Sequence, residues 1–155
     1  MINIRFANKH DSQIIFNWRN DPVSRKMSHT KNIVGWEKHT RWFTDSLANQ
    51  NKLILLCEED GTTKKVAVVH FESLSNRALI SINMSSLFRG KGKAKYCLNN
   101  SIHFFAQHYP NVSYIDAQIK SLNFASKHAF ESVGFYCIRK EKDMLFYEYK
   151  VKTQT

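Results

Sequence analysis

The sequence predicts an α+β fold: a sandwich of helices around a mixed, largely antiparallel sheet, in one domain over residues 1–155. Two observations set the class. The chain has 155 residues, enough for one core and too few for two. It is 43% apolar and 13% aromatic with only 2 prolines and 5 glycines, which excludes a disordered, collagen-like or low-complexity protein. The third observation is the order of hydrophobic periodicities along the chain: strand, two helices, three antiparallel strands, helix, strand, helix, two strands.

Each element has a local reason. Ile2–Phe6 alternates as a strand does. Asp11 or Ser12 is suited to cap a helix through Ile14, Ile15 and Trp18, and Asp21-Pro22 to end it. A second helix runs from Gly35 to Ala48, with Trp36, His39, Phe43 and Leu47 on one face. Leu53–Cys57 and Val66–Phe71 are strands joined by the Asp-Gly turn of Glu59–Thr62. Asn76-Arg77 marks a further turn into the strand Ala78–Met84. A long helix then carries Ala94, Leu98, Ile102 and Phe105 in a stripe and closes at Tyr109-Pro110. Val112–Ala117 is a strand. Ser121-Leu122-Asn123 opens a helix with Phe124, Ala129, Phe130 and Val133 on its face, and Gly134 terminates it. Phe135–Ile138 and Met144–Tyr149 form a closing pair around the turn at Lys140–Asp143.

The charge is uneven. Lys and Arg exceed Asp and Glu by ten, a surplus that calls for a polyanionic partner. Residues 1–60 and 111–155 each carry a net +2, whereas residues 61–110 carry +6 and a single acid, Glu72. The densest part is Arg89-Gly90-Lys91-Gly92-Lys93-Ala94-Lys95. A glycine-rich turn ahead of a helix exposes unpaired N–H groups at the positive end of the helix dipole, and the two glycines let a phosphate approach the main chain. The four cations add charge around it, so the loop suits a pyrophosphate. It is neither a Walker loop nor a dinucleotide fingerprint, because it lacks GxxxxGK[S/T] and follows a strand meander.

That loop, directly after a strand and opening a helix, resembles the acetyl-CoA signature of the GNAT superfamily of N-acetyltransferases. The segment Asn123-Phe124-Ala125-Ser126 through Val133-Gly134-Phe135 is similar to the family's second motif, and the element order is similar over nearly the whole chain. The resemblance implies a GNAT-type α/β/α sandwich and acetyl-CoA as co-substrate. Amides from Arg89 to Ala94 would hold the pyrophosphate, Asn123 and Ser126 would contact the pantetheine or phosphate portion, and a backbone N–H near Met84 would stabilise the oxyanion. The family's proton-donating tyrosine falls at Phe130, which cannot donate, leaving Ser126, Tyr136 or water. Phe16–Pro22 and Trp36–Phe43 resemble the N-terminal helices of nucleotide-amino-sugar N-acetyltransferases of pseudaminic-acid biosynthesis. The implied acceptor is the 4-amino group of a UDP-linked 4-amino-4,6-dideoxy sugar. The Trp-Arg-Asn helix also resembles ribosomal-protein N-terminal acetyltransferases, so acetylation of a protein N-terminus or of another small amine is the alternative.

The remaining candidates each read two ways. Trp18 is a core residue. Arg19 and Asn20 suit either substrate contact or helix-end capping and ion pairing. Glu72 is a general base or a strand-end surface acid, and His39 a substrate-side base or a packed helix residue. His10, His29, His70, His103, His108 and His128 lack metal-ligand spacing, so no metal is expected. Cys57, Cys97 and Cys137 fit neither a disulfide framework nor a zinc site and are expected as buried, reduced thiols. With no signal-like start and no apolar run near the roughly 20 residues that span a bilayer, a cytoplasmic protein without membrane contact is expected. No zinc-finger, RRM or KH pattern supports a nucleic-acid partner. A homodimer is compatible with the sequence.

Overall fold

In the computed structural model, which describes residues 1–28 and 32–152, the seven strands follow in the expected order, but the helices number five and not four, because a short helix over Pro22–Met27 stands between the two expected ahead of the second strand. They are β1 (Ile2–Phe6), α1 (Ser12–Arg19), α2 (Pro22–Met27), α3 (Trp36–Ala48), β2 (Lys52–Glu59), β3 (Lys65–Leu74), β4 (Arg77–Met84), α4 (Ala94–His108), β5 (Tyr114–Lys120), α5 (Phe124–Ser132), β6 (Tyr136–Glu141) and β7 (Met144–Lys150). His29 and Thr155 lie outside the described residues. The sheet order is β1-β2-β3-β4-β5-β7-β6, with β4 and β5 parallel and every other neighbour antiparallel.

Burial on both faces explains why β2 and β3 read as continuous apolar runs and not as alternation. Leu53–Cys57 and Val66–Val69 are all buried. One face of the sheet packs on α4 and α5 through Leu55, Val69, Phe71, Leu98, Phe105 and Phe130, with Phe71 and Phe105 stacked at 4.2 Å. The other face packs on α1 and α3 through Ile15, Trp18, Phe43, Ile54, Leu56 and Val68. The second layer confirms the sandwich.

Several local expectations are corrected. Asp11 stands at the N-cap of α1 but gives that helix no side-chain bond; it is 1% exposed and takes two 2.8 Å bonds from Arg5 and one from the Asn8 amide, with Lys65 at 3.2 Å. These donors hold its carboxyl down to about 2 against the cost of burial. Asp21-Pro22 stands just past the end of α1, as expected, but it also starts a further helix. Asp21 caps α2, accepting from the Val23 and Ser24 amides, with Pro22 at the first helical position where its missing N–H costs nothing. In α3 the buried seam runs His39, Phe43, Ser46; Trp36 and Leu47 are 43% and 39% exposed, because Leu47 lies one step off the seam. Arg77 is already in β4, and the turn sits at Ser75 and Asn76. The strand expected over 112–117 starts two residues later and ends three later, with Val112 buried ahead of it in the connection. Phe124 is exposed, and Cys137 is exposed because β6 is an edge strand with every residue exposed; Cys57 and Cys97 are buried and reduced as expected.

Removing the Asp11 carboxylate leaves Arg5 and Lys65 facing an empty acceptor site. Asp11→Ala should cost about 2–4 kcal/mol, read as a fall in the urea midpoint with unchanged slope.

Candidate active site

β4 and β5 pair over only three residues, Arg77–Leu79 against Tyr114–Asp116, and then diverge. The geometry of β3 shows which main-chain groups this exposes. The Ser85 amide bonds to the Val66 carbonyl, so Ser85 and Val66 are a hydrogen-bonded pair, and pairing alternates from there. Ile80, Ile82 and Met84 therefore turn their N–H and C=O away from β3; Ile80 is at the end of the β5 ladder, and Ile82 and Met84 face the gap that β5 has left. A cleft of about 1350 Å³ occupies this gap and the sheet face beside it.

The glycine loop closes one end of the gap. Gly90 and Gly92 have φ of +72° and +71°, a backbone that side-chain-bearing residues rarely adopt, and a Cβ on either would meet nothing within 4 Å. The demand for glycine is thus conformational, and the space beside the loop is open to a ligand. Lys93, at the N-cap of α4, makes no side-chain cap bond, which leaves the first-turn amides without that partner. Lys91, Gly92, Lys93, Ala94 and Lys95 all line the cleft. Arg89 departs from the sequence reading: its guanidinium turns inward to Asp21 at 2.7 Å, so the carboxylate neutralises it and the residue offers a ligand its main chain. Across the gap, Asn123 caps α5 by accepting from the Ser126 amide, and both residues line the cleft. Phe130 is 3% exposed and packs edge-on against Phe135. Tyr136 does not reach the cleft, because its hydroxyl is held by Glu148 on the outer strands. This fit of loop, helix start and open strand edge matches what a pantetheine diphosphate requires.

The second arm of the cleft lies on the sheet face below α1 and α3. His70 and Glu72, two residues apart on β3, share this face with Lys52, Ser81 and Asn83, all at the cleft. Glu72 is the one acid lining it among the described residues. Above them sits Arg19, its guanidinium 4.6 Å from the centre of the Trp42 ring and 3.4 Å from His39 Nδ1. Arg19 makes no ion pair among the described residues, and burial lowers its pKa. His39 is fully buried behind Arg19. Its Nε2 bonds to the Ser12 carbonyl, and burial lowers its pKa, so neutral Nδ1 can accept from Arg19. Asn20 also stands behind the wall: its side chain donates to the Val34 carbonyl and accepts from the Val34 amide. His70 is pushed down to about 4 by burial, then by the positive groups of Arg19 and Lys52. Sequence reading passed over His70, Trp42 and Asn83; the two-residue spacing from Glu72 was the available signal for His70.

Residues 4–150 match the family described as the acetyltransferase (GNAT) domain. The chain belongs to the GNAT acetyltransferase family. An uncharacterized protein of Methanocaldococcus jannaschii is 27% identical over 144 residues; the match covers 90% of this chain and 29% of that protein's length. A crystallised domain from the same organism superposes with a TM-score of 0.82 at 24% identity, covering 97% of this chain and 99% of that one. Spermidine N-acetyltransferase from Vibrio cholerae, solved with CoA and spermine, gives 0.86 at 14% identity over 96% and 95%. The aminoglycoside acetyltransferase AAC(6')-Ib, solved with coenzyme A, gives 0.79 at 11% identity over 97% and 95%. At these identities the likeness is one of fold.

Among the described residues of this GNAT domain, no helix is long and apolar enough to cross a membrane, and no group of three side chains is placed to hold a metal ion. His70 gives the domain a pH signature. The unfolded chain takes up its proton near 6.5 and the native chain only near 4, so stability falls as pH drops through that window. His70→Gln should remove up to about 3 kcal/mol of that loss, flattening the urea-derived stability profile between those limits while His39 retains its own share.

Proposed function

We propose that the protein transfers the acetyl group of acetyl-CoA to the primary amine of a small acceptor that also carries negative charge: the 4-amino group of a UDP-linked 4-amino-4,6-dideoxy sugar. One observation carries the choice of acceptor. The arm of the cleft facing away from the glycine loop presents Arg19, half-buried on Trp42 without a carboxylate partner among the described residues, with Lys52 on the floor. A desolvated cation left unpaired in the free protein favours an anionic ligand. Spermine, bound in the Vibrio cholerae relative, is a polycation and would meet repulsion here. The diphosphate of a nucleotide sugar supplies the complementary charge, and the resemblance of Phe16–Pro22 together with Trp36–Phe43 to nucleotide-amino-sugar enzymes supports the same reading.

Acetyl-CoA supplies an activated thioester when bound; the chain supplies position and proton handling. Glycine-loop amides and the start of α4 hold the diphosphate, with Lys91, Lys93 and Lys95 around it. Met84 N–H, turned into the gap, donates to the carbonyl oxygen of a thioester lying there. Glu72 takes the proton that the attacking ammonium must lose, directly or through one water. The departing thiolate has an ordinary thiol pKa near 8.5 and so leaves without a strong acid; the Ser126 hydroxyl or water need only hydrogen-bond to it in place of the absent tyrosine, and solvent protonates it afterwards.

Acetyl-CoA should raise the melting temperature by an amount that grows with its concentration, as ligand linkage requires; no shift at millimolar concentration would overturn the acetyltransferase reading. In an amine panel, the UDP-4-amino sugar should be turned over in preference to N-terminal peptides and spermidine. Faster acetylation of either of those would overturn the acceptor assignment. Arg19→Gln should raise KM for the nucleotide sugar about 10-fold or more, the worth of a charge-assisted hydrogen bond, with kcat little changed. Glu72→Gln should lower kcat near neutral pH by about 100-fold or more while the acetyl-CoA thermal shift persists.

A further inference from the structure

α2 is six residues long and buries none of them, so neither helix propensity nor an apolar face accounts for its place. It lies over the mouth of the gap, with Val23, Ser24 and Met27 lining the cleft. The ties that hold it are polar, and they come from both sides of the divergence. From the β4 side, Arg89 Nη2 donates to Asp21 Oδ2 at 2.7 Å and to Ser24 Oγ at 3.0 Å. Ser24 Oγ in turn donates to Asn83 Oδ1 at 2.7 Å. From the β5 side, Lys120 Nζ donates to the Lys26 carbonyl at 3.1 Å. Asp21 has two duties at once, since the oxygen that pairs with Arg89 also caps the helix through the Val23 and Ser24 amides.

Arg89 is also the first residue of the glycine loop, one peptide from Gly90. Its main chain belongs to the diphosphate cradle and its side chain to the strap over the acceptor arm. We infer that Arg89 is a positioning residue that couples the two substrates: a diphosphate seated on the loop fixes the Arg89 guanidinium, which fixes Asp21 and so holds α2 across the acceptor arm. The ion pair is partly screened from water, with side-chain exposures of 28% for Arg89 and 23% for Asp21, so it is stiffer than an exposed surface pair. A lysine here would keep the charge, but not the planar guanidinium that fixes the two N–H directions of Nη2 toward Asp21 and Ser24. This inference rests on the acetyl-CoA reading of the loop, and the test separates the failure of one from the failure of the other.

The test is hydrogen exchange of the full chain, with and without saturating acetyl-CoA, followed at the amides of Val23–Met27 and at the loop and first turn of α4. In the native sequence, acetyl-CoA should slow exchange in both places, by about five-fold or more in α2. In Arg89→Gln the loop and α4 should still be protected, while the slowing in α2 falls below about two-fold. Asp21→Asn keeps a capping side chain and so keeps α2 folded; it should lose the transmitted protection equally, and the double variant should lose no more than either single one. Arg89→Lys should restore part of it. A merely structural tie would change α2 exchange without cofactor and leave the ratio with and without acetyl-CoA unchanged; an unchanged ratio in Arg89→Gln overturns the inference. Absence of protection at the loop itself in the native sequence overturns the acetyl-CoA reading instead.

Discussion

The site depends on a pairing that stops. β4 and β5 are the one parallel pair in the sheet and hold together for three residues before separating. A parallel connection cannot be a hairpin, so the chain must leave the end of β4, run back along the sheet as α4 and re-enter as β5. That route places the glycine loop and the start of α4 at the end of β4 where the strands part. The divergence leaves the inward-turned main chain of Ile82 and Met84 without strand partners, and such groups need water or a ligand. Phosphate cradle, open strand edge and cleft are thus consequences of one topological feature. The strap α2 spans the same divergence, tied to β4 through Asn83 and to β5 through Lys120.

Electrostatics divides the cleft into two arms. The acids away from the cleft concentrate on a few cations: Arg5 lies against Asp11 and Glu58, and Arg77 against Asp116 and Glu148. Even within the glycine loop, Arg89 is neutralised by Asp21. What remains directed at the cleft is lysine around the loop at one end, with Arg19 and Lys52 at the other. Two separated positive regions, with Glu72 and neutral His70 between them, are the basis of the proposal that the cleft takes two anionic molecules. His39 takes part without touching either molecule, since its buried imidazole accepts from Arg19 and sets the guanidinium against Trp42.

The parts of the site that were legible beforehand are those whose information is local. The Arg89–Ala94 loop is contiguous, and its glycines are fixed by backbone conformation and not by distant packing. Asn123 is likewise a cap whose partner, Ser126, is three residues away. Arg19 was legible as a residue of interest, but its meaning was not. Whether it paired with an acid depended on which side chains α3 and β3 brought beside it. Asp21 was misread because Asp-Pro ends one helix and starts another equally well, and only the short span between Arg19 and Pro22 decides for both. Cys137 was misread because an apolar stretch does not say whether its strand is central or at an edge.

By itself the sequence determined the seven strands, four of the five helices, their order and the glycine turn ahead of α4, because helix and strand periodicity and positive-φ glycines are properties of short segments. Tertiary structure decided how far β4 and β5 stay paired, which main-chain groups face the gap, that His70 and Glu72 form a floor beneath Arg19, and that Arg89 turns from the loop toward Asp21. Those facts join residues tens of positions apart, 68 in the case of Asp21 and Arg89. A contact at that separation is set by the packing of whole elements, which no short window of sequence contains.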